Sequence, residues 1–193
     1  MTIHAPPDGL TTGPGILLLM CCFLFNCVAS PPRTGDIQRD PQLTSGYSLL
    51  HELVAKQSSV DKILLIKSAS EPTVELIRAI ALASDEAQKQ IRTYADQDAR
   101  IELGHADLPG VEQATRDAIE SVTAGKLIFD AERFELDLLL TQYEATKYGY
   151  FLARQLAKLD PDDRRRQWLG RFSESYQKLY DQTVTRISQL AHE

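Results

Sequence analysis

Cysteine is missing from everything beyond residue 27. The three that exist, Cys21, Cys22 and Cys27, sit in one apolar run from Ile16 to Val28. The chain behind that run must fold without disulfides, and it carries no thiolate nucleophile. Lys and Arg are missing from Met1 to Gly15; the first basic residues are Arg33 and Arg39. There is no Gly-x-Ser-x-Gly and no phosphate-binding glycine loop, so the commonest hydrolase and nucleotide-binding signatures are excluded. A strong basic block is also lacking. The chain has 27 acidic and 21 basic residues, net charge -6, which argues against nucleic acid as a partner. The one basic triplet, Arg164-Arg165-Arg166, follows Asp162-Asp163 directly and reads as a solvated helix face. No stretch alternates with period two, so no strand is expected.

The apolar run is several residues short of the ~20 needed to span a bilayer and suits the core of an export signal. Residues 1–30 therefore read as an export or lipoprotein signal. The small residues after Cys27 suit cleavage, and Leu24 three before Cys27 makes that cysteine the lipidation candidate. The missing basic start leaves an uncleaved inner-membrane anchor as the alternative. Export places the protein in the periplasm or attached to the outer membrane; a retained run would instead anchor it to the inner membrane, where the positive-inside rule favours the side after the run in the cytoplasm. Residues 31–45, rich in Pro and Asp, read as a flexible tether.

Residues 46–193 have helical period almost throughout. Segment one runs from about Tyr47 to Ala69, with Ser58-Ser59 marking a kink or a new start. Segment two opens at Ser70-Glu71-Pro72 and is expected to end near Gly104. A loop through Leu108-Pro109 leads to a short helix from Val111 to Val122, which Ala124-Gly125 should break. Segment three spans about Lys126 to Leu159. Segment four opens at Asp160-Pro161-Asp162-Asp163, with Asp160 as the cap. Its stripe is Leu169, Phe172, Tyr176, Leu179, Thr183, Ile187 and Leu190. These segments predict an all-α, four-helix bundle with a short extra helix in the link between helices two and three. The near-heptad of segment four also suits a homodimer seam.

Chemistry is sparse on this frame. The single Glu-x-x-His match is Glu102 to His105, at a helix end with glycine inside it, and no second copy exists. Glu102 and His105 are thus the only metal candidates, and no metal or other cofactor is expected. Phe134, Tyr143, Tyr148, Tyr150, Phe151, Trp168, Phe172, Tyr176 and Tyr180 crowd into segments three and four. They make either a packed hairpin core or an aromatic face for an apolar ligand or peptide, centred on Tyr143, Tyr148 and Trp168. Gly149, between two tyrosines mid-helix, costs roughly 1 kcal/mol relative to Ala and asks for a close helix contact or a small cleft.

Several short stretches resemble one known family. They are Ser58-Ser59-Val60-Asp61, Glu71-Pro72-Thr73-Val74, Leu108-Pro109, and Gly125 through Phe129-Asp130 ahead of Phe134. In that order they resemble a bacterial envelope family of ferritin-like four-helix bundles of unknown function, formerly described as predicted outer membrane proteins. The resemblance covers about Tyr47 to Leu190. It implies an export signal, a tether and a ferritin-like domain. It also places family histidines at Ser84 or Asp85 and at Tyr143, so this chain departs from the pattern at both. The expectation is a non-enzymatic, structural or protein-interaction bundle of the envelope. The alternatives are a metal-binding ferritin-like protein and an aromatic-lined binding module.

Overall fold

Asp40 opens the first helix, and Pro41 holds its first position. The Asp40 carboxylate accepts from the backbone N–H of Gln42 at 3.0 Å and of Leu43 at 3.3 Å. Such a cap satisfies orphan donors of the first turn, and proline there sacrifices none. The computed structural model describes residues 40–104, 106, 108–130 and 132–192. The export signal, the tether as far as residue 39, Cys27 and His105 lie outside the described residues. The final residues of the expected tether do not: helix α1 spans Pro41–Gln57. The cause is the Asp-Pro cap, reinforced by Leu43 and Tyr47, which bury one helical turn apart.

The serine pair ends α1. Ser58 turns its hydroxyl onto the Ala55 carbonyl at 2.8 Å, and a 3-10 helix follows over Val60–Leu65. Helix α2 spans Glu71–Gln97. It stops several residues before the expected Leu103, because the Asp98 carboxylate accepts from Arg100 N–H at 3.0 Å and turns the chain. Helix α3 spans Gly110–Phe129 and runs straight through Ala124-Gly125, where the sequence suggested a break. A single exposed-side glycine costs only about 1 kcal/mol, too little to interrupt it. The real break comes at Asp130, which accepts from Arg133 N–H at 3.3 Å. Helices α4, Phe134–Leu159, and α5, Asp163–Leu190, complete the fold. No strand occurs among the described residues.

Residue pairs fix the arrangement. Gln57 meets Gln142 and Tyr47 meets Asp160, so α1 and α4 are antiparallel. Ser84 meets Tyr176 and Thr73 meets Arg186, so α2 and α5 are antiparallel. Ser173 bonds the Tyr150 carbonyl, and Tyr180 reaches Tyr143, which sets α4 against α5. His51 faces Arg92, and Thr44 bonds the Arg100 carbonyl, which sets α1 against α2. The four long helices thus make a helical bundle, with α2 and α4 parallel across its diagonal. Helix α3 carries the chain back along the outside, ~30 Å at 1.5 Å per residue.

The core runs the length of the bundle through Tyr47, Leu50, Ile80, Ile91, Leu139, Leu156, Leu169 and Tyr176. Two glycines let helices approach closely. A Cβ on Gly46 would sit 2.7 Å from Leu156 Cδ1. One on Gly149 would sit 2.7 Å from the Tyr176 ring and 2.9 Å from Leu53 Cδ2. Gly149 is therefore a packing glycine: α4 presses against α5 and α1 there, and no cleft opens.

Candidate functional site

Helix α5 carries a strict 3-4 alternation on its inner stripe: Arg165, Leu169, Phe172, Tyr176, Leu179, Thr183 and Arg186 are all buried. An arginine closes the stripe at each end. The stripe expected from sequence begins at Leu169 and passes from Thr183 to Ile187, which favours an apolar residue over an arginine at each end. The heptad itself lands on Arg186 and, counted back, on Arg165. Both buried arginines were thus signalled by position and hidden by residue type.

Arg165 corrects the expected solvated triplet. Its Nε and Nη2 donate to the two carboxylate oxygens of Asp160, both at 2.8 Å, and its Nη1 donates to Asp98 at 2.7 Å. Tyr47 donates its hydroxyl to Asp160 Oδ2 at 2.6 Å, and Asp162 N–H donates to Oδ1 at 2.9 Å. Asp160 is therefore the buried anchor of the α4–α5 turn; the cap of α5 is Asp162, which accepts from Arg165 N–H. Burial pushes the Asp160 carboxyl up, but the bonds from Arg165, Tyr47 and Asp162 outweigh it and hold it below the ordinary range. The Arg100 side chain, followed by Arg165, holds Asp98 well below that range too. Burial and the acceptor Asp160 push the Tyr47 hydroxyl far up, so it stays a donor. A polar cleft of about 600 Å³ opens beside this network, between Gln90, Thr93, Tyr94, Arg100 and Arg164.

Arg186 anchors the other end of the bundle. It donates through Nε to Thr73 at 3.0 Å, and through Nη2 to Ser70 at 2.8 Å and to Glu135 at 3.2 Å. Ser70 and Thr73 both donate their hydroxyls to Glu135 Oε1 at 2.5 Å, and Ser70 N–H donates to Oε2 at 3.1 Å. Burial raises the Glu135 carboxyl, yet these donors bring it below its usual value. Ser70, at the start of α2, thus spends its side chain on a tertiary contact; no side-chain cap closes its own helix. Halfway along the bundle, the fully buried Ser84 donates to the Ile80 carbonyl and accepts from the Tyr176 hydroxyl at 2.6 Å. That hydroxyl is pushed up by burial and remains protonated.

The aromatic trio expected as one face is split among three surroundings. Tyr143 packs on Tyr180, with centroids 5.0 Å apart. Tyr148 lies half out, on the side of α3, with the Arg116 guanidinium 5.8 Å from its ring centroid. Trp168 sits near the start of α5 between Tyr94 and Phe172, with both centroids at 5.5 Å. The antiparallel register of α4 and α5 separates Tyr143 from Trp168 by roughly 18 Å along the bundle, at 1.5 Å per residue. The Tyr143–Tyr180 hydroxyl contact pushes Tyr180 up to about 12. Of the metal candidates, Glu102 lies in the loop after α2, where its carbonyl accepts from Ser48 at 2.8 Å; His105 lies outside the described residues. Among the described residues, no group of three or more His, Cys, Asp or Glu side chains converges as a metal site.

Helix α3 is the feature that sequence reading undervalued. It buries none of its residues. Its outer stripe exposes Val111, Val122 and Phe129, at 82%, 61% and 85%. Its inner side faces α1 and α4 across an open groove of about 420 Å³. Leu53, Val60, Ile119, Leu127 and Ala145 line it, together with Gln57 and Gln142. Across the rim, Lys56 of α1 reaches Glu120 of α3 at 2.6 Å and Glu52 at 2.9 Å. No described helix is long and apolar enough to cross a membrane. Compared with family models, curated proteins and solved structures, the chain matches none.

Proposed function

We propose that this chain is an exported, non-enzymatic bundle of the ferritin-like kind, anchored in the bacterial envelope, and that it holds a partner protein against α3. The observation carrying this reading is the outer stripe of α3. Val111, Val122 and Phe129 recur at 11 and 7 residues, so they share one helical face, and all three are exposed. Single exposed apolar residues are ordinary, but a stripe on a helix that buries nothing is a surface awaiting cover.

The connectivity supports the ferritin-like comparison. Two hairpins, α1–α2 and α4–α5, are joined by one long return along the outside of the bundle. A neutral hydroxyl pair, Ser84 with Tyr176, occupies the level where the resemblance would put a histidine. In this reading the chain keeps the scaffold and has replaced a polar centre with a packed one. The buried charges favour a binding role over a catalytic one. Each buried arginine is tied to carboxylates or hydroxyls at an end of the bundle, which leaves little for a substrate to engage.

A photo-crosslinking residue at Val122, in cells, tests the reading. It should give a discrete adduct that the same residue at Gln177, exposed on α5, does not. Val111→Glu with Phe129→Glu, on the same stripe, should abolish the adduct while leaving the unfolding free energy within about 0.5 kcal/mol of the parent. An adduct indifferent to both charges would refute it. The mature N-terminus, read by mass spectrometry, tests export separately: an unprocessed cytoplasmic chain would remove the envelope part.

A further inference from the structure

Among the described residues, one buried side-chain polar atom has no hydrogen-bond partner. Gln57 donates through Nε2 to Gln142 Oε1 at 3.0 Å, and the carbonyl oxygen of the same Gln57 amide receives nothing. Both glutamines are over nine-tenths buried, and both line the groove between α1, α3 and α4. An unsatisfied buried acceptor costs about 1–3 kcal/mol, so a native chain retains one where something else completes it.

We infer that the groove is a binding site for a small neutral amphiphile, an alkyl chain bearing a hydroxyl. The walls set the chain: Leu53, Val60, Ile119, Leu127 and Ala145 are apolar. The groove volume lies within the range of small-molecule sites, and apolar walls with one or two placed polar groups are their usual composition. Gln57 sets the head: its free carbonyl oxygen takes a donor. The rim sets the charge. Lys56 lies between Glu52 and Glu120, and Arg116 is paired with Glu112 at 2.9 Å. Three acids face two bases, and both bases are engaged, so an anionic head gains no free cation. Helix α3 sets the access. Lys56–Glu120 and the Arg116–Tyr148 contact, both at exposed side chains, tie it across the groove, and it buries none of its residues. It can shift outward without breaking the core. An occupant would extend the apolar contact of the inner side of α3, where Leu127 packs against the Ile77, Phe134 and Leu138 cluster. This proposal stands apart from the partner-protein reading, which uses the opposite face of the same helix.

The probe is 1-octanol, titrated into the full-length, isotope-labelled chain and followed by NMR. Saturable shifts are expected at the side-chain amides of Gln57 and Gln142 and at Ala124 and Ala145. Octanoate, with the same chain length and a charged head, should bind at least tenfold more weakly, about 1.4 kcal/mol. Gln57→Leu should weaken octanol by about tenfold. Should that variant fail to fold, Ala124→Trp fills the groove from an exposed position and should abolish binding. Three results would overturn the inference: shifts that do not saturate, octanol binding indifferent to Ala124→Trp, or octanoate binding as well as octanol. Sedimentation distinguishes a second copy as the occupant: a dimer that Ala124→Trp converts to monomer would also overturn it. Val122→Glu should leave octanol binding unchanged, so this site and the partner-protein surface fail separately.

Discussion

Arg165→Met should be the most damaging substitution in α5. The arginine side chain is 6% exposed, and it faces Asp160 at 0% and Asp98 at 14%. Removing it leaves two carboxylates in place, and breaking one side of a buried ion pair costs about 3–5 kcal/mol. The surviving donors decide where in that range the loss falls. Asp160 keeps the Tyr47 hydroxyl and the Asp162 N–H, and Asp98 keeps Arg100. The lower end, ~3 kcal/mol, is therefore expected at pH 7. For a domain of this size that lowers Tm by about 6–12 °C. Urea unfolding followed by circular dichroism measures it. Arg164→Met is the control: Arg164 is exposed, has no partner among the described residues, and should change stability by less than about 0.5 kcal/mol. The pH dependence sharpens the test. Asp160 and Asp98 both lie below their ordinary values. Their contribution is thus present above the unfolded carboxyl range, near pH 4, and is lost as pH falls through the lowered folded values. The variant lacks much of that contribution from the start. The gap between parent and variant should therefore hold from pH 7 to about pH 5 and shrink below that, as pH falls through the carboxyl range. A gap below about 1 kcal/mol at pH 7, or one that does not change with pH, would refute this account of the network.

Other parts of the bundle make separate predictions. Gly149→Ala places a methyl 2.7 Å from the Tyr176 ring and should destabilise by about 1–3 kcal/mol, whereas Gly125→Ala, with nothing within 4 Å, should stabilise by up to ~1 kcal/mol; urea midpoints with unchanged slopes would show both. Ser84→Ala leaves the buried Tyr176 hydroxyl without its partner and should cost about 1–3 kcal/mol, and adding Tyr176→Phe should recover most of it in a double-mutant cycle. Glu135→Gln keeps the volume but removes the charge that Arg186 meets. It should destabilise the neutral-pH protein and flatten its acid limb between about pH 5 and 3, since the lowered Glu135 value contributes only above that window.

These effects concentrate where residue type misled and position did not. The helical period of α1, α2, α4 and α5 was plain because their buried residues are mostly Leu, Ile, Ala and Tyr at 3-4 spacing. The start of α2 was legible from Ser70-Glu71-Pro72, since proline in a first turn needs no tertiary information. Asp40-Pro41 carries the same local signal, and α1 begins there. Asp160-Pro161-Asp162-Asp163 was ambiguous for a reason that no local rule removes. Two aspartates can cap, and which one turns inward depends on Tyr47, distant in sequence by 113 residues. The same limit hid the pairing of Arg186 with Thr73 and Glu135.

The candidate groove was illegible for the opposite reason. Nothing in α3 is buried, so its apolar residues form no deep stripe, and the sequence offered only a short amphipathic helix. Its inner and outer apolar residues lie on different sides of one cylinder, which blurs any single periodic signal. The unpartnered Gln57 carbonyl adds a feature that no sequence pattern carries, because Gln142, which accepts from the Nε2 of the same amide, lies on another helix. The bundle ties its buried arginines at both ends, and the one buried side-chain acceptor without a partner among the described residues lies beside α3. The groove and the outer stripe lie on two faces of α3, so substitutions there separate the role of a ligand from that of a partner without touching the core.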